Sequence, residues 1–183
     1  MTYCQQAPNE ILKQYIRCFW WLDNDSSKNL NYTILPDGFF DIIVRFDNYE
    51  YQSTVLTGLW TKEVEVVISP NHQLFGIQFK LPAVEYVFCE SIAPLLNSEK
   101  KLPDAFWNLN SFGFSKNLDT VDRLSSIISQ EINKENNLDN RKLLLFSLLS
   151  QTKGNQSVSY FADNVFGLVG KSIDILIKCS GFH

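Results

Sequence analysis

The residues here whose types could do chemistry are two histidines, four cysteines and two aspartates beside a turn. His183 ends the chain, so His72 is the one internal imidazole. A histidine-based metal centre needs several ligands brought together, and no metal site or cofactor is expected. A Ser-His-Asp or Cys-His arrangement would have to use His72, which follows the turn-like Ser69-Pro70-Asn71. No GxSxG, Walker A or GxGxxG pattern accompanies it. His72 therefore reads as a surface loop residue, and nothing points to an enzyme. Cys4, Cys18, Cys89 and Cys179 are widely spaced with no CxxC. That pattern fits reduced thiols in a cytoplasm better than a disulfide framework or a zinc site.

The aspartates have two readings each. Asp37 sits in Pro36-Asp37-Gly38, where an Asp side chain commonly bonds its own backbone. Asp41 lies on an otherwise apolar strand, where it is either structural or a polar group pointing into a pocket. Aromatic residues reach 14%. Trp20, Trp21, Phe39, Trp60 and Phe75 can be packed core or the walls of an apolar cavity.

The elements that must position these groups change character along the chain. Pro8 opens a short helix carrying Ile11, Leu12 and Tyr15. Cys18-Phe19-Trp20-Trp21-Leu22 reads as a buried strand. A polar loop leads to a strand over 31–35, and Pro36-Asp37-Gly38 makes a turn. Phe40, Ile42, Val44 and Phe46 then share one face, with Asp41 and Arg45 on the other. Residues 31–35 and 40–46 are expected to pair as a hairpin. Asp47–Ser53 is a turn region, Thr54–Thr57 a short strand ended by Gly58. Val64, Val66 and Ile68 alternate with Glu63 and Glu65, and Phe75, Ile77 and Phe79 share a face. That makes about six strands, at the spacing of a sandwich or small barrel.

Beyond Pro82 the period becomes helical. A helix to about Glu90 should bury Val84, Val87 and Phe88. Residues 98–115, with Pro103 and Gly113, form a connector. Leu118, Val121, Leu124, Ile128 and Ile132 make an apolar stripe with Asp119 in its first turn. Asp139 caps a second helix whose Leu143, Leu144, Leu145, Phe146, Leu148 and Leu149 are apolar nearly all round. After a polar linker, Ser157 caps a last helix with Val158, Phe161, Ala162, Val165 and Phe166. The class is α+β.

Composition narrows the function. Sixteen Lys and Arg against 20 Asp and Glu give a net charge of -4, the wrong sign for a chain whose main task is holding nucleic acid. No apolar run approaches the roughly 18 residues of a membrane span. MTYCQQAPNE lacks the basic and apolar regions of a secretory signal.

Four segments in order carry a resemblance. They are Phe19-Trp20, then Leu35-Pro36-Asp37-Gly38 leading to Asp41-Ile42-Ile43, then Gly58, then Gly76-Ile77-Gln78-Phe79-Lys80-Leu81-Pro82-Ala83. Over residues 8–150 the chain resembles the N-terminal sensor domain of AraC/XylS-type bacterial transcription regulators, in the subset with an "LPDG" hairpin. Residues matching the motifs are Pro36, Asp37, Gly38, Asp41, Gly76, Phe79 and Pro82. Gln78 stands where that family usually has Arg, and Ala83-Val84 where Gly-Ala is common. A ligand read by that Arg in relatives need not be shared.

The resemblance implies a cupin-like β-barrel or sandwich over residues 1–97. A connector and helical dimerisation arm follow over 98–150, and a remnant of a first helix-turn-helix over 151–183. The expected function is effector sensing and dimerisation in such a regulator without a complete DNA reader. The alternative is a cupin-type small-molecule-binding protein or enzyme unrelated to transcription. Candidate ligand contacts are Asp41, Trp20, Phe39, Trp60, Phe75 and Gln78. Leu145 and Leu149 are candidates for a homodimer surface, because a lone helix on a small body buries one stripe, not its whole circumference. DNA is expected as partner only of a full-length relative.

Beyond Phe166 the pattern stops. With permitted codons and one T restored, Phe166 is followed by WSSRQINRYFNKMFRIS, which resembles the turn and recognition helix expected there. The expectation is a frameshifted, truncated regulator. The other reading is a divergent tail in which Ile173, Ile175, Leu176 and Ile177 pack on the arm.

Overall fold

A computed structural model describes residues 1–112, 118–132, 140–152 and 155–166. The tail beyond Phe166, Asp139 and Gly113 lie outside the described residues. So do the side chains of Leu118, Ala162 and Phe166.

Among the described residues eight strands form the body: β1 (Thr2–Gln6), β2 (Ile16–Asp23), β3 (Leu30–Ile34), β4 (Phe40–Asp47), β5 (Glu50–Thr57), β6 (Val64–Ile68), β7 (His72–Phe79) and β8 (Glu99–Lys101). The α-helices described after them are α1 (Leu118–Ile132), α2 (Asn140–Thr152) and α3 (Val158–Phe161). The fold is mixed α+β and predominantly antiparallel. One sheet has the order β1-β2-β7-β4-β5-β8, and a second consists of β3 and β6.

The expected hairpin between 31–35 and 40–46 does not form. β3 pairs with β6, and β4 pairs with β5 and β7. Pro36-Asp37-Gly38 is a turn as read, with Gly38 at φ 77, but it carries the chain from one sheet to the other. β4 instead turns directly into β5. Asn48 and Tyr49 both have positive φ (49 and 67) between the paired Asp47 and Glu50. That two-residue turn suits the right-handed twist of a hairpin. The expected long turn over 47–53 is therefore strand from Glu50 onward.

Alternation on the central strands builds the core. Phe40, Ile42, Val44 and Phe46 on β4 and Phe75, Ile77 and Phe79 on β7 are all buried on one face. Each such side chain contributes roughly 1.5–3 kcal/mol. Phe40 and Phe79 stack at 5.5 Å, and Phe88 meets Phe79 edge-on at 5.0 Å. Tyr86 and Val87, from a wide helical turn over Val84–Phe88, join the same cluster, as do Val121, Leu124 and Ile128 of α1. Pro82 starts that helix, which runs to Phe88 and stops at Cys89 in the left-handed conformation, so the helix expected to reach about Glu90 forms and ends slightly short. The expected helix after Pro8 is only a single tight turn, Leu12–Gln14.

α2 explains its own composition. Phe146 joins the main core, while Leu145 packs with Phe161 and Val165 in a second cluster. The helix is sandwiched within its own chain, so its apolar circumference is largely covered internally. Leu145 does not face outward; Leu149 is partly buried between the two clusters, and Leu144 is the exposed leucine. Ser157 caps α3, its Oγ accepting the Tyr160 N–H at 3.1 Å.

Candidate functional site

The face of the large sheet opposite the core is built in rows. Cys18, Gln78 and Asp41 are register partners across β2, β7 and β4. The next row is Trp20, Gly76 and Ile43, and the next Leu22, Leu74 and Arg45. Because strand side chains alternate, all three rows face the same way. β3 and β6 lie over them, and the space between is a cavity of about 620 Å³. Ile34, Val64, Val66 and Ile68 wall it on one side and Trp20, Ile43 and Leu74 on the other, with Trp60 and Tyr32 contributing rings. This volume falls within the range of small-molecule sites, which are mostly apolar with a few placed polar groups.

The polar groups converge near one end. Trp20 Nε1 donates to Asp41 Oδ1 at 2.8 Å. Trp20 reaches that position because Gly76 beside it has no side chain: a β-carbon there would lie 1.9 Å from Trp20 Cε2. The indole thus occupies the space above the Gly76 backbone. Burial pushes the Asp41 carboxyl up to about 7, against the opposing pull of the Trp20 hydrogen bond. Asp37 raises it further, while Gln78 and Arg17 act downward. The Asp41 backbone N–H donates to Thr57 Oγ1 at 2.8 Å, which ties the carboxylate's position to β5.

Arg17 enters by an irregularity. Ile16 pairs with Phe79 and Cys18 with Gln78, so Arg17 is an extra residue in β2. Bulges of this kind re-aim side chains. Arg17 Nη1 donates to Gln78 Oε1 at 3.1 Å and stands 3.6 Å from Asp37 Oδ2. Gln78 Nε2 donates to Asp37 Oδ2 at 3.1 Å. Asp37 Oδ1 accepts the Phe39 N–H at 3.0 Å, the local backbone bond expected of an Asp in this turn. One aspartate therefore both shapes the turn and holds the polar cluster. Further along the cavity, Arg45 Nη2 donates to both oxygens of Glu99 at 2.9 and 2.7 Å.

The family described as "Domain of unknown function (DUF6597)" matches residues 5–100. The chain belongs to that family. No curated protein and no solved structure matches it. The DUF6597 match runs from within β1 to within β8, so every residue named above as walling the cavity lies inside it.

Of the six ligand-contact candidates, Asp41, Trp20, Trp60 and Gln78 line the cavity together. Phe75 and Phe39 do not. Phe75 sits on the core face, 5.1 Å from Trp21 and 6.5 Å from Phe19. Phe39 lies under the Arg17 guanidinium, 4.6 Å from ring to Cζ, so it supports Arg17. Trp21 is core, 2% exposed. His72 opens β7 rather than standing in a loop, and it lines the far end of the cavity. Sequence reasoning missed Arg17, Tyr3, Tyr32 and the Arg45–Glu99 pair. The bulge had a signal: core residues on β2 fall at Ile16, Phe19 and Trp21, a step of three before a step of two. Among the described residues no three His, Cys, Asp or Glu side chains come together as metal ligands, and no helix is long and apolar enough to cross a membrane.

Proposed function

We propose that this chain is a small-molecule-sensing module: a cupin-like sandwich that binds an effector, joined to a helical arm that responds to it. The observation that carries the reading is the 620 Å³ cavity with aromatic and aliphatic walls and the Trp20–Asp41 pair at one end. It supports binding, because small-molecule sites are mostly apolar with a few placed polar groups. The resemblance to AraC/XylS-type sensor domains gives the module its expected setting, that of the sensor which such regulators join to a DNA reader.

A physical route from cavity to arm supports the same reading. β7 carries Gln78 at the site and then turns at Pro82 into the wide helical turn. Glu85 on that turn is ion-paired with Lys142 of α2. An effector that binds one arrangement of this corner more tightly would bias α2, which is the requirement for coupling two sites. Self-association through the arm belongs to this proposal, with Leu144 as the outward position on α2.

A thermal-shift screen with small metabolites tests it. Saturation at 100 times Kd should stabilise by about 2.7 kcal/mol. A ligand that stabilises the wild type but not an Ile43→Trp variant, whose indole would fill the cavity, supports the reading. A broad metabolite library that produces no stabilisation contradicts it.

A further inference from the structure

We propose that the cavity selects a cationic amine: an ammonium head group seated on Asp41, with an apolar or aromatic body lying between the sheets. This rests on the small-molecule reading above and names its ligand class.

The charges in and beside the cavity pair off and leave one over. Arg45 is engaged by both oxygens of Glu99, and Arg17 stands beside Asp37 and Gln78. Among the described residues, no lysine, arginine or chain terminus lies within ion-pair distance of Asp41. Its hydrogen-bonding side chains, Trp20 at Oδ1 and Gln78, are both neutral, so they position the carboxylate without neutralising it. A carboxylate held this way in a largely apolar cleft favours a ligand that brings a positive charge and a donor.

The surrounding rings suit the body of such a ligand. Trp60 and Tyr32 line the same cavity and can cover an apolar or aromatic body, while Trp20, stacked on Tyr3 and lying over Gly76, presents its N–H edge to Asp41. An anionic head group would meet Asp41, Asp37 and Glu99, with both nearby guanidiniums already engaged.

Ionisation supports the assignment and gives a second readout. Asp41 titrates near 7, so its charged fraction grows across neutral pH while an alkyl ammonium stays protonated. The groups facing it are Asp37 from the turn, Arg17 and Cys18 from β2 and Tyr3 from β1. Arg45, Glu99, Tyr32 and His72 line the cavity further along. Burial raises the Cys18 thiol and the Tyr3 hydroxyl above their ordinary values, so both are neutral where Asp41 ionises. Amine affinity should therefore rise from about pH 5 to about pH 8 and then level off.

The test is calorimetric titration of the full chain with a matched panel. Phenethylamine, phenethyl alcohol and hydrocinnamate, with the corresponding cyclohexyl set, vary head group and body independently. The expected result is an ammonium preference of about tenfold or more over the alcohol, lost in Asp41→Asn, with wild-type affinity rising with pH. Equal or better binding of alcohols or carboxylates overturns the amine assignment while leaving the small-molecule reading standing. So does silence of the whole panel when the metabolite screen finds a neutral or anionic ligand. Amine binding that falls or stays flat with rising pH also overturns it, without recourse to a variant. Silence in both experiments removes the sensing reading itself.

Discussion

Trp20 occupies the space that a side chain on Gly76 would need. Its Cε2, Cζ2 and Nε1 atoms all lie within 2.2 Å of where that β-carbon would be. The pair are register partners on β2 and β7, so the absence of one side chain lets the other turn its indole N–H toward Asp41, on β4 beyond β7.

Gly76→Ala should therefore cost more than an ordinary strand substitution. The indole must move, or the strands must part, at about 1–3 kcal/mol. The Trp20–Asp41 hydrogen bond should be lost with it. Urea unfolding gives the first quantity. Ligand titration gives the second: a variant that folds should bind cavity ligands poorly. An alanine variant with unchanged stability and unchanged binding contradicts this packing.

Asp41 should make stability fall as pH rises through neutrality. Its folded value is raised to about 7 from an ordinary 3.8, so between those values the folded state holds a proton that the unfolded state has released. Unfolding is then favoured by rising pH. At roughly 1.36 kcal/mol per unit the upper bound is about 4 kcal/mol, and water in the cavity reduces it. Wild type minus Asp41→Asn, measured by chemical unfolding from about pH 4 to pH 8, should isolate a loss with rising pH. A difference that is flat or rises across that range contradicts the buried carboxyl.

Much of this was legible in the residues. Alternation on β4 and β7 assigned Phe40, Ile42, Ile77 and Phe79 to one face, and that same alternation puts Asp41 and Gln78 on the other. Asp37 was readable as a turn residue because Pro36 and Gly38 define the turn. Pairing was harder. A turn fixes a change of direction but not the partner, so β3 was assigned to β4 when it belongs with β6. Phe75 was misassigned for a related reason: aromatic type says nothing about face, whereas its parity with Ile77 places it in the core. Arg17 required seeing an uneven step on β2, and the Arg45–Glu99 pair spans a distance in sequence that no local pattern reports. β1 and β8 are edge strands with little burial, so their hydrophobic signal is weak.

The arm gives a contrast between neighbours. Leu145 is buried against Phe161 and Val165, while Leu144 is exposed. Leu145→Glu should destabilise the chain by about 3 kcal/mol or more, since it removes a buried apolar side chain and strands a charge. Leu144→Glu should leave unfolding nearly unchanged and weaken self-association. Sedimentation at micromolar concentration should show twice the 21.1 kDa chain mass for the wild type and a shift toward the single chain for Leu144→Glu. A wild type that sediments only as the single chain removes the proposed pairing.

The four tryptophans report directly on the central claim that the cavity between the sheets holds a small molecule. Trp20 and Trp60 line it, Trp21 lies in the core, and Trp107 packs on Phe88 and Phe106. Their indole N–H signals in a nitrogen-15 correlation spectrum can be assigned by single Trp→Phe variants. Titration with any stabilising compound should move the Trp20 and Trp60 signals and leave those of Trp21 and Trp107 in place. Movement confined to Trp21 or Trp107, or no movement at saturating compound, would place binding elsewhere and contradict the account.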